Sequence, residues 1–266
     1  MNKKLIRLFS LALAVMMVFS LCSCSGTSPE DEEKEPIKYA SEIPSGKAEV
    51  IEQFNKVMAI AKSGKVAISY SLDQGAGGCE CENPYVKASF KTLANKMTDT
   101  DFGMSTEYGE STKDIFPLMG TENAGALDFT DVSSAIITDN EGDTNYTIII
   151  KINPETNPEQ ENSIYGKLYK ISKDEDILKN FDGYKDFATA DSYSATYGTG
   201  TIKAIVDKTT DHIVKLELSR DVKVATEVTG QGTLASVGTV AMTFDYWSTA
   251  HYDLNWDNPE TADVEA

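Results

Sequence analysis

The chain predicts an α+β domain in which a curved antiparallel β-meander packs against two or three amphipathic helices. Two stretches near the start, Val50 to Ala61 and Val86 to Met97, place apolar residues at helical spacing. From Ser133 the apolar pattern changes to period two, as in strands with one buried face. The strand-like runs beyond Tyr193 are joined by short connections, which suit antiparallel neighbours and exclude parallel ones.

A leader precedes these elements. Lys3, Lys4 and Arg7 stand before Leu8 to Phe19, an apolar run too short to span a bilayer comfortably, and the run closes on Leu21-Cys22-Ser23-Cys24. The segment resembles the lipobox of bacterial lipoproteins, with an apolar residue three positions before the cysteine and a small one directly before it. That resemblance implies that Cys24 carries a diacylglycerol and that the bond before it is cut. The protein would then be extracytoplasmic, its partner the cell membrane through N-terminal acyl chains, more than one of which is needed for stable anchoring. An ordinary secretory leader cut a few residues later is the alternative. Behind Cys24, Gly26 to Pro36 carries five acidic residues and few apolar ones, too little to offset the entropy of ordering. Residues 1–23 therefore read as signal, 24–44 as acidic tether, 45–257 as a single α+β domain and 258–266 as acidic tail.

Within the domain, Ser45 is the expected N-cap of a first helix whose stripe is Val50, Ile51, Phe54, Val57, Met58 and Ala61, ending near Gly64. Val66 to Leu72 reads as a strand, followed by a glycine-rich turn. Asn83 and Pro84 then form a cap and first-turn pair for a second helix with Val86, Phe90, Leu93, Ala94 and Met97 as its stripe. Ala135 to Thr138 and Tyr146 to Ile152 flank Asp139-Asn140-Glu141-Gly142-Asp143, a hairpin by its turn chemistry. Ile164 to Ile171 and Ile177 to Phe181 read as two short helical pieces. Four strand-like runs follow, at about 193–206, 212–229, 232–246 and 250–256, with a break near Ser248. In them Val222, Val224, Thr226 and Val228 share a face, as do Val240, Met242, Phe244 and Tyr246, while Lys223 and Glu227 take the opposite one.

The formal charge is −18 at pH 7, and −21 once Lys3, Lys4 and Arg7 leave with the leader. Arg220 is then the one arginine left, and a surface so negative repels phosphate backbones, which excludes nucleic acid as a partner.

Residue patterns with chemistry are few. Cys79 and Cys81 are separated by one residue in a glycine-rich stretch and are open to three readings: a strained disulfide, free thiols, or a metal or redox site. The two histidines, His212 and His251, lie far from them in sequence, so a soft-metal site there lacks nearby nitrogen ligands. Asp139 to Asp143 is acidic but lacks calcium-loop spacing and reads as a turn. His251 has Asp245 and Asp253 near it without a Gly-x-Ser-x-Gly or His-Glu-x-x-His motif, and no phosphate loop or other cofactor motif occurs. Tyr246, Trp247, Tyr252 and Trp256 form an aromatic group that reads as core or as a stacking surface.

Taken together, the opening helix around Glu52 to Lys56, the strand pair at Ser133 to Ile152 leading into Asn153-Pro154, and the run Thr199 to Lys208 resemble uncharacterised secreted lipoproteins of Gram-positive anaerobes. A second likeness, of architecture, is to half-barrel lipoproteins in which a curved sheet wraps helices around a lipid-sized cavity. The first likeness rests on structural motifs that carry no chemistry, and the second implies a half-barrel. The chain itself reads as a non-catalytic binding module for an apolar or amphiphilic ligand, with Val240, Met242, Phe244 and Tyr246 as its contact residues. A surface interaction or adhesive protein without a small ligand is the alternative.

Overall fold

The computed structural model describes residues 39–97, 102–112, 115–116, 126–139, 142–159, 162–169, 186 and 188–257. The leader with Cys24, the helical piece at 177–181 and the tail at 258–266 lie outside the described residues.

Helix α1 spans Lys47–Gly64 and buries the six residues of its stripe. Its N-cap is Gly46, one residue after the expected Ser45, and Glu49 accepts the Gly46 N–H at 3.0 Å. Strand β1 is Ala67–Cys81, and helix α2 is Pro84–Met97. The Asn83 side-chain oxygen accepts the N–H groups of Tyr85 at 3.0 Å and Val86 at 3.3 Å, which is the expected cap. There follow β2 (Phe102–Thr106), a 3-10 turn (Phe129–Asp131), the hairpin β3 (Val132–Asp139) and β4 (Asn145–Ile152), and the short β5 (Glu155–Thr156). A five-residue helix α3 (Ile164–Leu168) precedes β6 (Ala188–Tyr197), β7 (Thr201–Asp207), β8 (Ile213–Gly230) and β9 (Thr239–Asn255).

All strand pairs are antiparallel and belong to one sheet. The order is β2-β1-β9-β8-β7-β4-β3. Strand β8 is long enough to take two partners on one side: its first half pairs β7 and its second half pairs β6. The α+β class and the antiparallel pairing stand, but the curved half-barrel does not form. Closure requires the first and last strands to meet, and this path stays open between β2 and β3. Two helices placed one after the other cover the long strands instead: α1 packs on β3, β4 and β8, and α2 on β1.

One face of the sheet is buried throughout. Ile148, Ile150, Ile202, Leu216, Leu218 and Ala250 meet α1 in the main core. The same face of β9 continues without a register shift to Phe244 and Met242, where Phe90 and Ala94 of α2 build a smaller second core. Register sets Val222, Val224, Thr226 and Val228 directly across from Tyr246, Phe244, Met242 and Val240, so the expected faces hold. Lys223, Glu227 and Asp253 lie exposed on the other face.

Four strand boundaries differ from expectation. The strand expected from 232 starts at Thr239, because Gly232–Val237 forms a 3-10 turn. The glycine-rich stretch after Leu72 stays in the β1 ladder, because Gly75 makes room for the Trp247 indole: a Cβ there would stand 2.8 Å from the ring. The expected strand at 193–206 is split at Gly198 to Gly200 into β6 and β7, with Gly200 pressed against Ile152 and Tyr165. The expected break at Ser248 is absent, since Ser248 faces inward and holds Arg220, so 239–255 is one strand.

Tyr39 to Ser41, within the stretch read as tether, also bond to the domain. The Ala40 N–H donates to the Lys208 carbonyl at 2.7 Å, and Ser41 donates to the buried Asp211 carboxylate. Asp211 also accepts from Lys56 at 2.8 Å and Gln53 at 3.2 Å, and Gln53 in turn donates to the Tyr146 hydroxyl at 2.7 Å.

Candidate groove at the second-helix end of the sheet

Where β6, β8, β9 and β1 run side by side at the α2 end, a groove of about 730 Å³ opens to solvent. Tyr193, Thr226, Met242 and Cys81 are successive register partners across the four strands, and all four line it. On either side of them Glu80, Ser192, Ser194, Ala225, Glu227, Ala241 and Thr243 alternate onto the wet face and also line the groove, so it opens over the wet face, and with Glu82 its three carboxylates outnumber the one ammonium, of Lys87. Its volume is that of a small-molecule site, and its lining mixes apolar side chains with a few charges. On the buried face α2 starts directly after β1, and Asn83 and Pro84 turn the chain so that Phe90 and Ala94 lie over Met242 and Phe244.

The four residues expected to contact a ligand share one face but divide the work. Val240 is half-buried opposite Val228. Met242 is buried and borders the groove, whereas the Phe244 ring lies 4.7 Å from that of Phe90 inside the second core. Tyr246 donates its hydroxyl to Gln74 at 2.7 Å and belongs to a different cluster.

That cluster surrounds Arg220, which the sequence reading passed over. The inward positions of β8 run Leu216, Leu218, Arg220, Val222, Val224, so a guanidinium stands in an apolar row between the two cores. Its Nε donates to Ser248 at 2.9 Å, its carbon lies 4.3 Å from the Tyr169 ring centroid and 5.7 Å from that of Tyr246, and its Nη1 is buried without a hydrogen-bond partner. The stacked rings replace the carboxylate that a buried arginine usually takes. The single arginine at an inward strand position was the available signal.

Other candidates separate in space. Cys79 and Cys81 are free thiols that pack against Phe90, Ala94 and Met242. Burial pushes the Cys79 thiol above its ordinary value, Cys81 adds to this, and Lys87 opposes it. Cys81 also donates to the Asn83 carbonyl at 3.6 Å. His212 stacks on Trp256 with ring centroids 3.6 Å apart, and its burial lowers its pKa against the pull of Asp207 and Asp211. His251 lies on the wet face, 3.4 Å from Asp73 and 3.6 Å from Glu217, not beside Asp245. Asp139 binds the buried Lys208 ammonium at 2.5 Å and Tyr39 at 3.2 Å, a structural clasp at the turn end of the β3–β4 hairpin. The C-terminal aromatics do not form one group: Tyr252 is core, Tyr246 joins Arg220, Trp256 stacks on His212, and Trp247 is 41% exposed on the opposite face.

No family model, curated protein or solved structure matches this chain. With the open sheet, that overturns both the resemblance to secreted lipoproteins of Gram-positive anaerobes and the half-barrel likeness. The motifs that carried the first were structural: the Glu52 to Lys56 segment lies in α1, and Thr199 to Lys208 is the β7 ladder and its turn.

Proposed function

We propose that this chain is a lipid-tethered, extracytoplasmic binding module, non-catalytic, whose ligand is a small amphiphile seated in the groove across β6, β8, β9 and β1. The observation that carries the reading is the groove itself, about 730 Å³, with Ala225 and Ala241 for an apolar portion and the hydroxyls of Ser192, Ser194 and Thr243 for a polar head. The tether rests on Leu21-Cys22-Ser23-Cys24 behind a charged start and an apolar run. Native mass spectrometry of the full chain, released from membranes in mild detergent, tests the ligand. A bound mass that is lost on unfolding supports the reading, and the bare chain alone contradicts it. Cys24→Ala should leave the protein unprocessed or in the soluble fraction, and an alanine variant that is processed and membrane-bound like the parent contradicts the tether.

A second reading, a surface interaction protein without a small ligand, is favoured by one observation. Trp247 lies flat over Gly75 on the uncovered face, and Ile136 is 53% exposed. An exposed tryptophan on a polar sheet face suits a macromolecular partner, because aromatic side chains are enriched at interfaces.

A further inference from the structure

Cys79 and Cys81 leave the sequence short of a third ligand. The fold supplies one. In the β1–β9 ladder the cross-strand partner of Cys81 is Met242, 161 positions away in sequence but directly opposite in register. Directly opposed residues hold their Cβ atoms about 4.5–5.5 Å apart, within reach of one ion for a thiol and a flexible thioether. Cys79, two positions before Cys81, takes the same side, where it packs with Cys81 and Met242 under Phe90. Among the described residues no three His, Cys, Asp or Glu side chains converge on a metal-sized site, so a hard or borderline ion finds no oxygen and nitrogen set here. The sulfur set is different in kind.

We propose that Cys79, Cys81 and Met242 form a three-coordinate site for a soft monovalent metal ion of the Cu(I) class. Two thiolates and a thioether match the softness and the low coordination number of such an ion, and they do not meet the four-ligand demand of Zn(II). Both thiols are half-buried, which gives the ion a path from solvent, and Phe90 and Phe244 shield it on the inner side. Loading releases the two thiol protons and leaves a site of net charge −1. The site shares Cys81 and Met242 with the proposed amphiphile groove but does not rest on that reading.

The test uses the full chain with Cys22 and Cys24 replaced by Ser throughout, so that Cys79 and Cys81 are the remaining thiols. Cu(I) is supplied anaerobically in competition with a chromogenic Cu(I) chelator. The expected result is one equivalent bound per chain with loss of both titratable thiols, binding abolished in Cys79→Ser/Cys81→Ser, and affinity reduced at least tenfold in Met242→Leu. The serine variant should melt within a few degrees of its parent, because a link or ligand pair spanning one residue constrains little unfolded-state entropy. Cu(I) uptake that is absent in the parent, equal in the serine variant, or unchanged in Met242→Leu overturns the assignment. So does Zn(II) that displaces Cu(I) at equal concentration. The chelator assay is independent of any amphiphile, so failure here leaves the groove reading untouched.

Discussion

Replacing Phe90 by Ala tests whether α2 is held by a core of its own. Phe90 is 6% exposed and shares its cluster with two other fully buried residues, Ala94 and Met242, and with the ring of Phe244 at 4.7 Å. A buried aromatic removes about 150–250 Å² from water, which at about 25 cal/mol per Å² amounts to about 4–6 kcal/mol. The Cβ that remains lowers the expected cost to about 3–4 kcal/mol, within the range for Phe→Ala. With a urea m-value of about 2.5 kcal/mol per M, the unfolding midpoint should fall by about 1.2–1.6 M. Lys91→Ala, one residue on and exposed, should change stability by less than about 0.5 kcal/mol. A Phe90→Ala shift under about 0.4 M, or a Lys91→Ala shift as large, would refute the assignment of faces on α2.

Two further perturbations follow from the same geometry. Gly200→Ala places a Cβ 2.7 Å from Ile152 Cδ1 and 2.9 Å from the Tyr165 hydroxyl, both fully buried, and should cost about 1–3 kcal/mol. Gly77→Ala, with nothing within 4 Å, should stay within about 0.5 kcal/mol, so equal changes in thermal melts count against the packing described. Burial pushes Tyr146 and Tyr165 from 10.0 up to about 12, so between these pH values the unfolded chain sheds protons that the folded one keeps. Stability is therefore unaffected by these groups below pH 10 and falls as pH rises toward 12, with tyrosinate absorbance appearing together with unfolding. A urea midpoint that is flat across that window contradicts their burial.

Periodicity made the local part of this fold legible. The α1 stripe, the Asn83 cap, the β3–β4 hairpin and the paired faces of β8 and β9 each depend on residues within a few positions of one another. What escaped were features decided by a distant strand. Gly75 stays in a ladder because Trp247 lies over it, and Ser248 does not break β9 because Arg220 turns its polarity inward. Met242 as the partner of Cys81 is likewise a matter of register across 161 positions, which no local pattern encodes. The open sheet was missed for a similar reason: short connections imply antiparallel neighbours but not whether the edge strands meet.

The most direct test of the groove as the binding site is photolabelling of the full chain with a fatty acid that carries a diazirine in its chain, followed by peptide mapping. Label should concentrate in 188–197 and 239–246, compete with unlabelled fatty acid, and fall sharply in Ala241→Trp, which fills the groove from an exposed position without entering either core. Label spread evenly over the sheet, or gathered around Trp247 and Ile136 and indifferent to Ala241→Trp, would contradict it.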